Sequence, residues 1–370
     1  MNNKYFILVG AKINESDSRG GVGTLSIALL DYADRHGYKI EIIDTSKKPF
    51  VKNSFFQNLK TSLVRILSLI RVSRKKKYAG VIIFSGAGWG FYEKIILSLV
   101  CRLLNLPSIF FIVDGWFFSV RDKSFFSRVW IGKLLKIPNF LAASGQNWVN
   151  LFKDLGTEDE RLFVAHYWLS HSFSKRVKPK SLHKNAPVNF IFIGWMIKEK
   201  GLQEIINAID VLYNKHPFTF TFVGEGPMLN TIRKIVKESK WSSRIFVKGW
   251  LSNHEKEKAL ASSDIFVLPS YAEGFPMSLI EAMFSGLPAI CSDVGGVSDS
   301  LLDRINGILI PPRNSQELIN AMEFYIRNPA AIVKHSFKAI EVAHKNHDSD
   351  INCKVIFNHL INFDMYTLKN

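Results

Sequence analysis

Residues 264–296 read DIFVLPSYAEGFPMSLIEAMFSGLPAICSDVGG, and their pattern decides the fold. Asp264 to Leu268 is a short apolar, β-rich run that Pro269 and Ser270 end, which predicts a buried strand. The loop Tyr271-Ala-Glu-Gly-Phe-Pro276 leads into a helix with Pro276 near its first turn, where a missing N–H costs little. Leu279, Ile280, Ala282, Met283 and Phe284 give that helix its apolar side, and Gly286-Leu-Pro288 stops it. A second strand and a Gly-Gly turn follow. Strand, helix and strand within about thirty residues predict a parallel α/β sheet.

Two carboxylates stand out in this stretch, Glu273 in the loop and Glu281 on the helix. A helix start presents unpaired N–H groups and partial positive charge, so the backbone of Gly274, Phe275, Pro276, Met277 and Ser278 suits a phosphate. Glu281 would reach hydroxyls attached to that phosphate on one side, and Glu273 those of a group beyond it on the other. That order of groups is the order in a sugar nucleotide.

The string E-G-F-P-x-S-x-x-E-A-M-x-x-G-x-P-x-I-x-S-x-x-G-G resembles the E-x7-E signature of retaining, family-four glycosyltransferases of the GT-B fold. The resemblance implies that Glu273 contacts the donor sugar and Glu281 the nucleotide ribose. It extends from about residue 190 to 325. Gly194-Trp-Met-Ile-Lys-Glu-Lys-Gly201, after the predicted strand Val188–Ile193, is similar to the family's G-R-L-x-x-E-K-G loop. Lys200 thereby matches the lysine on the leaving diphosphate. Trp195 stands where the family has an arginine, so either Lys198 or Arg19 supplies the missing charge or the rate is lower. Gly224, after the strand Phe218–Val223, and Gly249, after the strand Arg244–Val247, fall where the family's backbone meets the donor. Ile308 to Pro312 leads to a helix over Ser315–Arg327, and residues 331–361 read as terminal helices.

The first half repeats strand and helix with a fainter likeness. Lys4–Val9, Tyr38–Asp44, Gly80–Phe84, Ser108–Val113 and Phe140–Ala143 are predicted strands. Helices are expected over Thr24–His36 and near 55–77, 90–105, 124–136 and 145–155. Gly20-Gly-Val-Gly23 is similar to the family's N-terminal glycine loop, which implies backbone contact at Gly21 with the donor phosphates. The same unit invites a dinucleotide reading, with Asp44 about twenty residues on. The fingerprint fails at its third glycine, where Ser26 stands, and the loop from Ala11 to Gly20 is too long for the tight turn. Asp114 ends a buried strand, where ligands of open α/β sheets collect. The family often has a histidine at the matching place, so Asp114 is a candidate catalytic group or a simple turn cap.

The chain has 370 residues and a formal charge of +16. That length suits two α/β domains. Residues 1–170 hold 24 Lys and Arg against 13 Asp and Glu. Lys60, Arg65, Arg71, Arg74, Lys75, Lys76 and Lys77 interleave with Leu63, Val64, Ile66, Leu67, Leu69 and Ile70, the pattern of a basic amphipathic helix suited to an anionic lipid surface or an acceptor. An ordinary packed helix with a solvated basic face has the same pattern. No helix-turn-helix, zinc-finger or RNA-recognition signature accompanies the charge, so no nucleic-acid partner is expected. Cys101, Cys291 and Cys353 are scattered, which points to a reduced compartment and away from zinc. No secretory leader or membrane span is read, giving a cytoplasmic protein, peripheral at the inner face of the cell membrane.

The expected architecture is therefore α/β of GT-B type: two Rossmann-like domains facing a cleft, with the C-terminal helix crossing back to the first. Residues 1–170 would form an acceptor domain, 171–187 a linker, 188–345 the donor domain and 346–370 the returning helix. The resemblance implies retaining transfer from a UDP- or GDP-sugar to a saccharide or lipid-linked acceptor, with no metal and no further cofactor. The only D-x-D, Asp348-Ser-Asp350, lies near the C-terminal tail. The competing readings are a binding protein on the same scaffold that no longer turns over and a nicotinamide enzyme.

Overall fold

Strands such as Phe190–Ile193 and Val81–Ser85 are buried along their whole length, as parallel strands covered on both faces must be. A computed structural model describes residues 4–12, 20–46, 54–174, 179–180 and 186–363. It divides into two compact units, Met1–His171 with His347–Asn370, and Ser172–Asn346.

The first unit runs β1 (Tyr5–Gly10), α1 (Gly21–Arg35), β2 (Lys39–Asp44), α2 (Phe55–Ser73), β3 (Tyr78–Ser85), α3 (Trp89–Leu103) and β4 (Ser108–Ile112). A 3-10 segment, Gly115–Asp122, precedes α4 (Phe125–Leu135), β5 (Phe140–Ala143), α5 (Gln146–Asp154) and β6 (Leu162–Val164). Its six strands are all parallel, in the order β2-β1-β3-β4-β5-β6. Right-handed crossovers put α2 to α5 on one face of this sheet and α1 on the other. Leu69, Ile95, Ile131 and Trp148 from the four helices accordingly share one core with Val81 and Phe110.

After α6 (His171–Ser174) the second unit runs β7 (Val188–Ile193), α7 (Leu202–Leu212), β8 (Phe218–Val223), α8 (Leu229–Glu238), β9 (Ile245–Lys248) and α9 (Asn253–Ala261). Then come β10 (Ile265–Leu268), α10 (Met277–Phe284), β11 (Ala289–Ser292), β12 (Gly307–Ile310), α11 (Ser315–Arg327) and α12 (Pro329–His347). The sheet order is β12-β11-β10-β7-β8-β9, again all parallel. The last helix, α13 (Ser349–Ile361), belongs to the first unit and packs on α1, β3 and β4. Phe357 stacks on Tyr32 and meets Phe6 edge-on, and a Cβ at Gly80 would strike Leu360 at 2.6 Å.

Several expectations need correction. Helix α1 starts at Gly21, so Gly21 and Gly23 are in its first turn rather than in a loop before Thr24. Helix α2 stops at Ser73 and not at residue 77, leaving Arg74 to Lys77 beyond its end. Arg65 is not part of an exposed basic face. It is 8% exposed and pairs with Glu93 at 2.9 Å, because it lies on the side of α2 that turns toward α3. Strand β6 and helices α7, α8 and α9 were not read from the sequence. Of the expected linker, 175–178 and 181–185 lie outside the described residues. Lys180 is bound within the second unit, its N–H to Ser336 Oγ and its Nζ to the carbonyls of Leu260 and Ala261.

Candidate active site

The strand order of the second sheet reverses direction between β7 and β10, and open α/β sheets collect ligands outside the carboxyl ends of the strands at such a point. The loops that leave these two strands are Gly194–Gly201 and Pro269–Pro276, the two that carry Lys200 and Glu273. Lys200 Nζ lies 2.5 Å from Glu273 Oε1, which also accepts from Ser270 Oγ at 2.7 Å. Glu273 is nine-tenths buried, so its charge is held by these two donors rather than by bulk water. Behind it, burial pushes the Cys291 thiol well up, and the carboxylate adds to that shift.

Backbone contacts fix the loops to one another. Tyr271 N–H donates to Glu199 O at 2.8 Å, Met196 N–H to Glu225 O at 2.7 Å and Gly224 N–H to Gly249 O at 3.1 Å. Glycine is required at two of the junctions. Gly224 has φ +141 and a Cβ there would sit 1.9 Å from Gly194 O; Gly295 has φ +59 and a Cβ there would sit 1.8 Å from Glu273 O. Gly296 N–H bonds to Gly274 O at 3.0 Å, so the turn after β11 presses directly on the loop that holds Glu273. Gly224 thus meets Gly194 and Gly249 directly, while Gly274 is held against the turn after β11.

Pro276 occupies the N-cap of α10 and provides no side-chain acceptor for the first-turn N–H groups of Met277 and Ser278. Phe275 is buried beside it. Glu281, one turn into the helix, is buried and accepts from Lys256 Nζ of α9 at 2.6 Å. Each glutamate of the pair therefore has its own lysine. The signal for α9 was present as the capping box Ser252–Glu255, but nothing in the sequence says which of its lysines turns inward. Tyr271 was also missed: its hydroxyl donates to Glu204 at 2.9 Å while the Arg313 guanidinium lies 4.8 Å from its ring centroid.

Trp195 lies beside Trp250, with ring centroids 5.6 Å apart. Lys198 is exposed at the start of the turn that ends at Lys200. Arg19 lies outside the described residues. Gly21 and Asp114 belong to the first unit. Asp114 accepts from Trp116 N–H at 2.9 Å and from Ala87 N–H at 3.2 Å, one bond from each carboxylate oxygen, which makes it the cap of the 3-10 segment. Asp44 likewise accepts from the N–H groups of Lys12 and Ser46, joining the ends of two loops. The D-x-D at Asp348 and Asp350 is the start of α13: Asp348 caps it and Asp350 pairs with Arg35 at 2.6 Å. Among the described residues no group of three or more His, Cys, Asp or Glu is placed to hold a metal ion.

Residues 173–345 match the family described as glycosyl transferases group 1. Over 135 residues the chain is 37% identical to a Bacillus subtilis protein assigned as the teichuronic acid biosynthesis glycosyltransferase TuaC, covering 36% of this chain and 32% of that one. It is 25% identical over 263 residues to the uncharacterized glycosyltransferase MJ1178 of Methanocaldococcus jannaschii, covering 61% and 74%. The matched stretch thus spans about a third of the length of TuaC and about three quarters of MJ1178. Among solved structures, sucrose-phosphate synthase from Thermosynechococcus elongatus superposes with a TM-score of 0.74 at 15% identity, covering 96% of this chain and 98% of that one. Anabaena HepE in complex with UDP-glucose superposes at 0.68 and 16% identity, covering 96% and 99%. The chain has the GT-B fold, and its residues 173–345 match the glycosyl transferases group 1 family.

Proposed function

We propose that this protein transfers a sugar from a nucleoside diphosphate sugar to a hydroxyl of a saccharide or lipid-linked saccharide, with retention at the anomeric carbon and without a metal ion. The observation that carries this reading is the pair of ion-paired glutamates, Glu273 with Lys200 and Glu281 with Lys256, on either side of the start of α10. The diphosphate would lie against the N–H groups of Met277 and Ser278, with Lys200 transferring its charge from Glu273 to the departing phosphate oxygens. Glu273, released from that lysine, would hold sugar hydroxyls and face the positive charge that develops at the anomeric carbon. Glu281, kept in place by Lys256, would accept from the ribose hydroxyls.

The family's arginine would add a second positive charge at the diphosphate. With Trp195 at that position, Lys198 is the cation on the same loop. The teichuronic acid assignment of TuaC and the UDP-glucose bound by HepE support the substrate class; bacterial surface polysaccharide synthesis is the proposed setting and the inner face of the cell membrane the proposed place.

A panel of UDP- and GDP-sugars scored by thermal shift and by hydrolysis or transfer tests the reading. One sugar nucleotide should raise the melting temperature and be turned over. Lys200→Met and Glu273→Gln should each lower turnover by about ten- to a hundred-fold, the worth of one charged hydrogen bond. Tight binding with no turnover would favour a binding protein on this scaffold, and Trp195 would then be the reason. A stabilising response to NAD(H) alone would sink the transferase reading.

A further inference from the structure

Helix α2 buries two polar residues beside Leu69 and leaves several large apolar residues outside. The side turned to the sheet carries Ser62, Arg65 and Leu69. Ser62 Oγ accepts from Trp89 Nε1 at 3.0 Å, and Arg65 donates to the carbonyl of Asp44 and to Glu93. Glu93 also takes Lys94 at 2.6 Å; burial alone would raise its carboxyl, but Lys94 and Arg65 hold it below the usual range. The outer side carries Phe56, Leu59, Leu63, Val64 and Leu67, with Phe56 78% exposed. A surface helix with one apolar stripe normally turns it to the core.

The neighbouring helices repeat the feature. On α3 the residues Tyr92, Ile96, Leu99 and Leu103 recur at spacings of four, three and four and form a second, outward stripe opposite the buried Phe91, Ile95 and Cys101. On α4 the outward residues are Phe125, Phe126, Val129 and Trp130, with Phe126 83% exposed. All three helices cover the same face of the first sheet and share its core. Single exposed apolar residues need no explanation, but three consecutive helices presenting them on one face do.

The charge around these side chains selects the partner. Lys60 and Arg71 lie on the outer side of α2 and Arg74 is exposed just past its end, while Arg102 is exposed at the end of α3 and Lys133 on α4. Between residues 54 and 136 the acids are Glu93, buried against two cations, Asp114, which caps a turn, and Asp122. A second copy of this chain would bring cation against cation across such a face. Anionic headgroups would instead pair with Lys and Arg while Phe, Trp and Leu enter the layer beneath.

We propose that α2, α3 and α4 form a face on which the first unit docks to an anionic lipid surface by inserting these side chains. The proposal deepens the acceptor side of the function above, since a lipid-linked acceptor lies in that surface, but docking needs no sugar transfer. Purely electrostatic adsorption, as a basic helix alone would give, disappears in high salt; insertion leaves a salt-resistant part.

The test is flotation of the full chain with phosphatidylcholine vesicles, with and without phosphatidylglycerol, at low and high salt. The wild type should float with the anionic vesicles and stay partly bound in high salt. The pairs Phe126→Ser with Trp130→Ser, and Leu63→Gln with Leu67→Gln, should each weaken binding by about tenfold or more while keeping the wild-type thermal melt. A nitrobenzoxadiazole label at Leu67→Cys should brighten on the vesicles; Cys101, Cys291 and Cys353 are buried and so shielded from labelling. No flotation, or variants that float as well as the wild type, would overturn the proposal. So would a wild-type dimer in light scattering that the variants break, because the face would then belong to a second copy. If flotation holds while no sugar nucleotide binds, the transferase reading falls and the docking face stands.

Discussion

Lys256 Nζ lies 2.6 Å from Glu281 Oε1, and the two side chains, from helices α9 and α10, are mostly hidden from solvent. A carboxylate assigned to ribose hydroxyls must be held in one rotamer to bind them well, and this lysine holds it. On the proposed reading, Lys256 acts as a positioning residue. Lys256→Met is expected to weaken donor binding by about tenfold, and Glu281→Gln by ten- to a hundred-fold. The double variant should be little worse than Glu281→Gln alone, giving a coupling of about 1.4 kcal/mol, the whole of the Lys256→Met loss, by isothermal titration. Additive losses would mean that Lys256 acts on the donor directly.

Gly295 stands against the carbonyl of Glu273, where a Cβ would come within 1.8 Å. Its φ of +59 is also one that side chains resist. Gly295→Ala should destabilise the second unit by roughly 1–3 kcal/mol and displace Glu273 with its loop. Urea unfolding with donor titration checks this. A variant with wild-type stability and affinity would show that this contact does not hold the loop of Glu273.

His347 is fully buried, with Nδ1 on the carbonyl of Tyr167 at 2.7 Å. Burial takes its imidazole down to about 3, and the neighbouring His166, 5.6 Å away between ring centroids, is lowered for the same reason. The unfolded chain takes up a proton at His347 below about pH 6.5, and the folded protein does so only near 3. The unfolded state therefore binds more protons between those values, and stability must fall as pH falls through that window, by up to about 1.4 kcal/mol per unit for this one group. His347→Gln should flatten the dependence in denaturant melts taken across the window. An unchanged slope would place the acid sensitivity elsewhere.

Several strands of the second unit and its helix α11 are legible because their signals are local, whereas α7, α8 and α9 of the same unit are not read from the sequence. Val188–Ile193, Phe218–Val223 and Ser315–Arg327 match the predicted bounds, since an apolar run between glycine or proline stops needs no distant partner to be recognised. Strand β6 escaped because its three residues carry no pattern of their own and pair only through β5. Helix α2 was legible as a helix and as basic, yet its orientation was not. A periodicity of 3.6 shows that a helix has two sides and leaves open which one the sheet takes. Arg65 went inside because Glu93 on α3 was there to receive it.

The sequence by itself determined that Glu273 and Glu281 flank the start of one helix, since the seven residues between them and the strand before them allow little else. Only the tertiary structure decided what holds them. Lys200 and Lys256 lie 73 and 25 residues away along the chain. Lys200 reaches Glu273 because the strand order reverses between β7 and β10 and sets their loops side by side. Lys256 reaches Glu281 because α9 and α10 enter and leave the same strand, β10. Local spacing can fix a motif, but which cation neutralises it depends on sheet order.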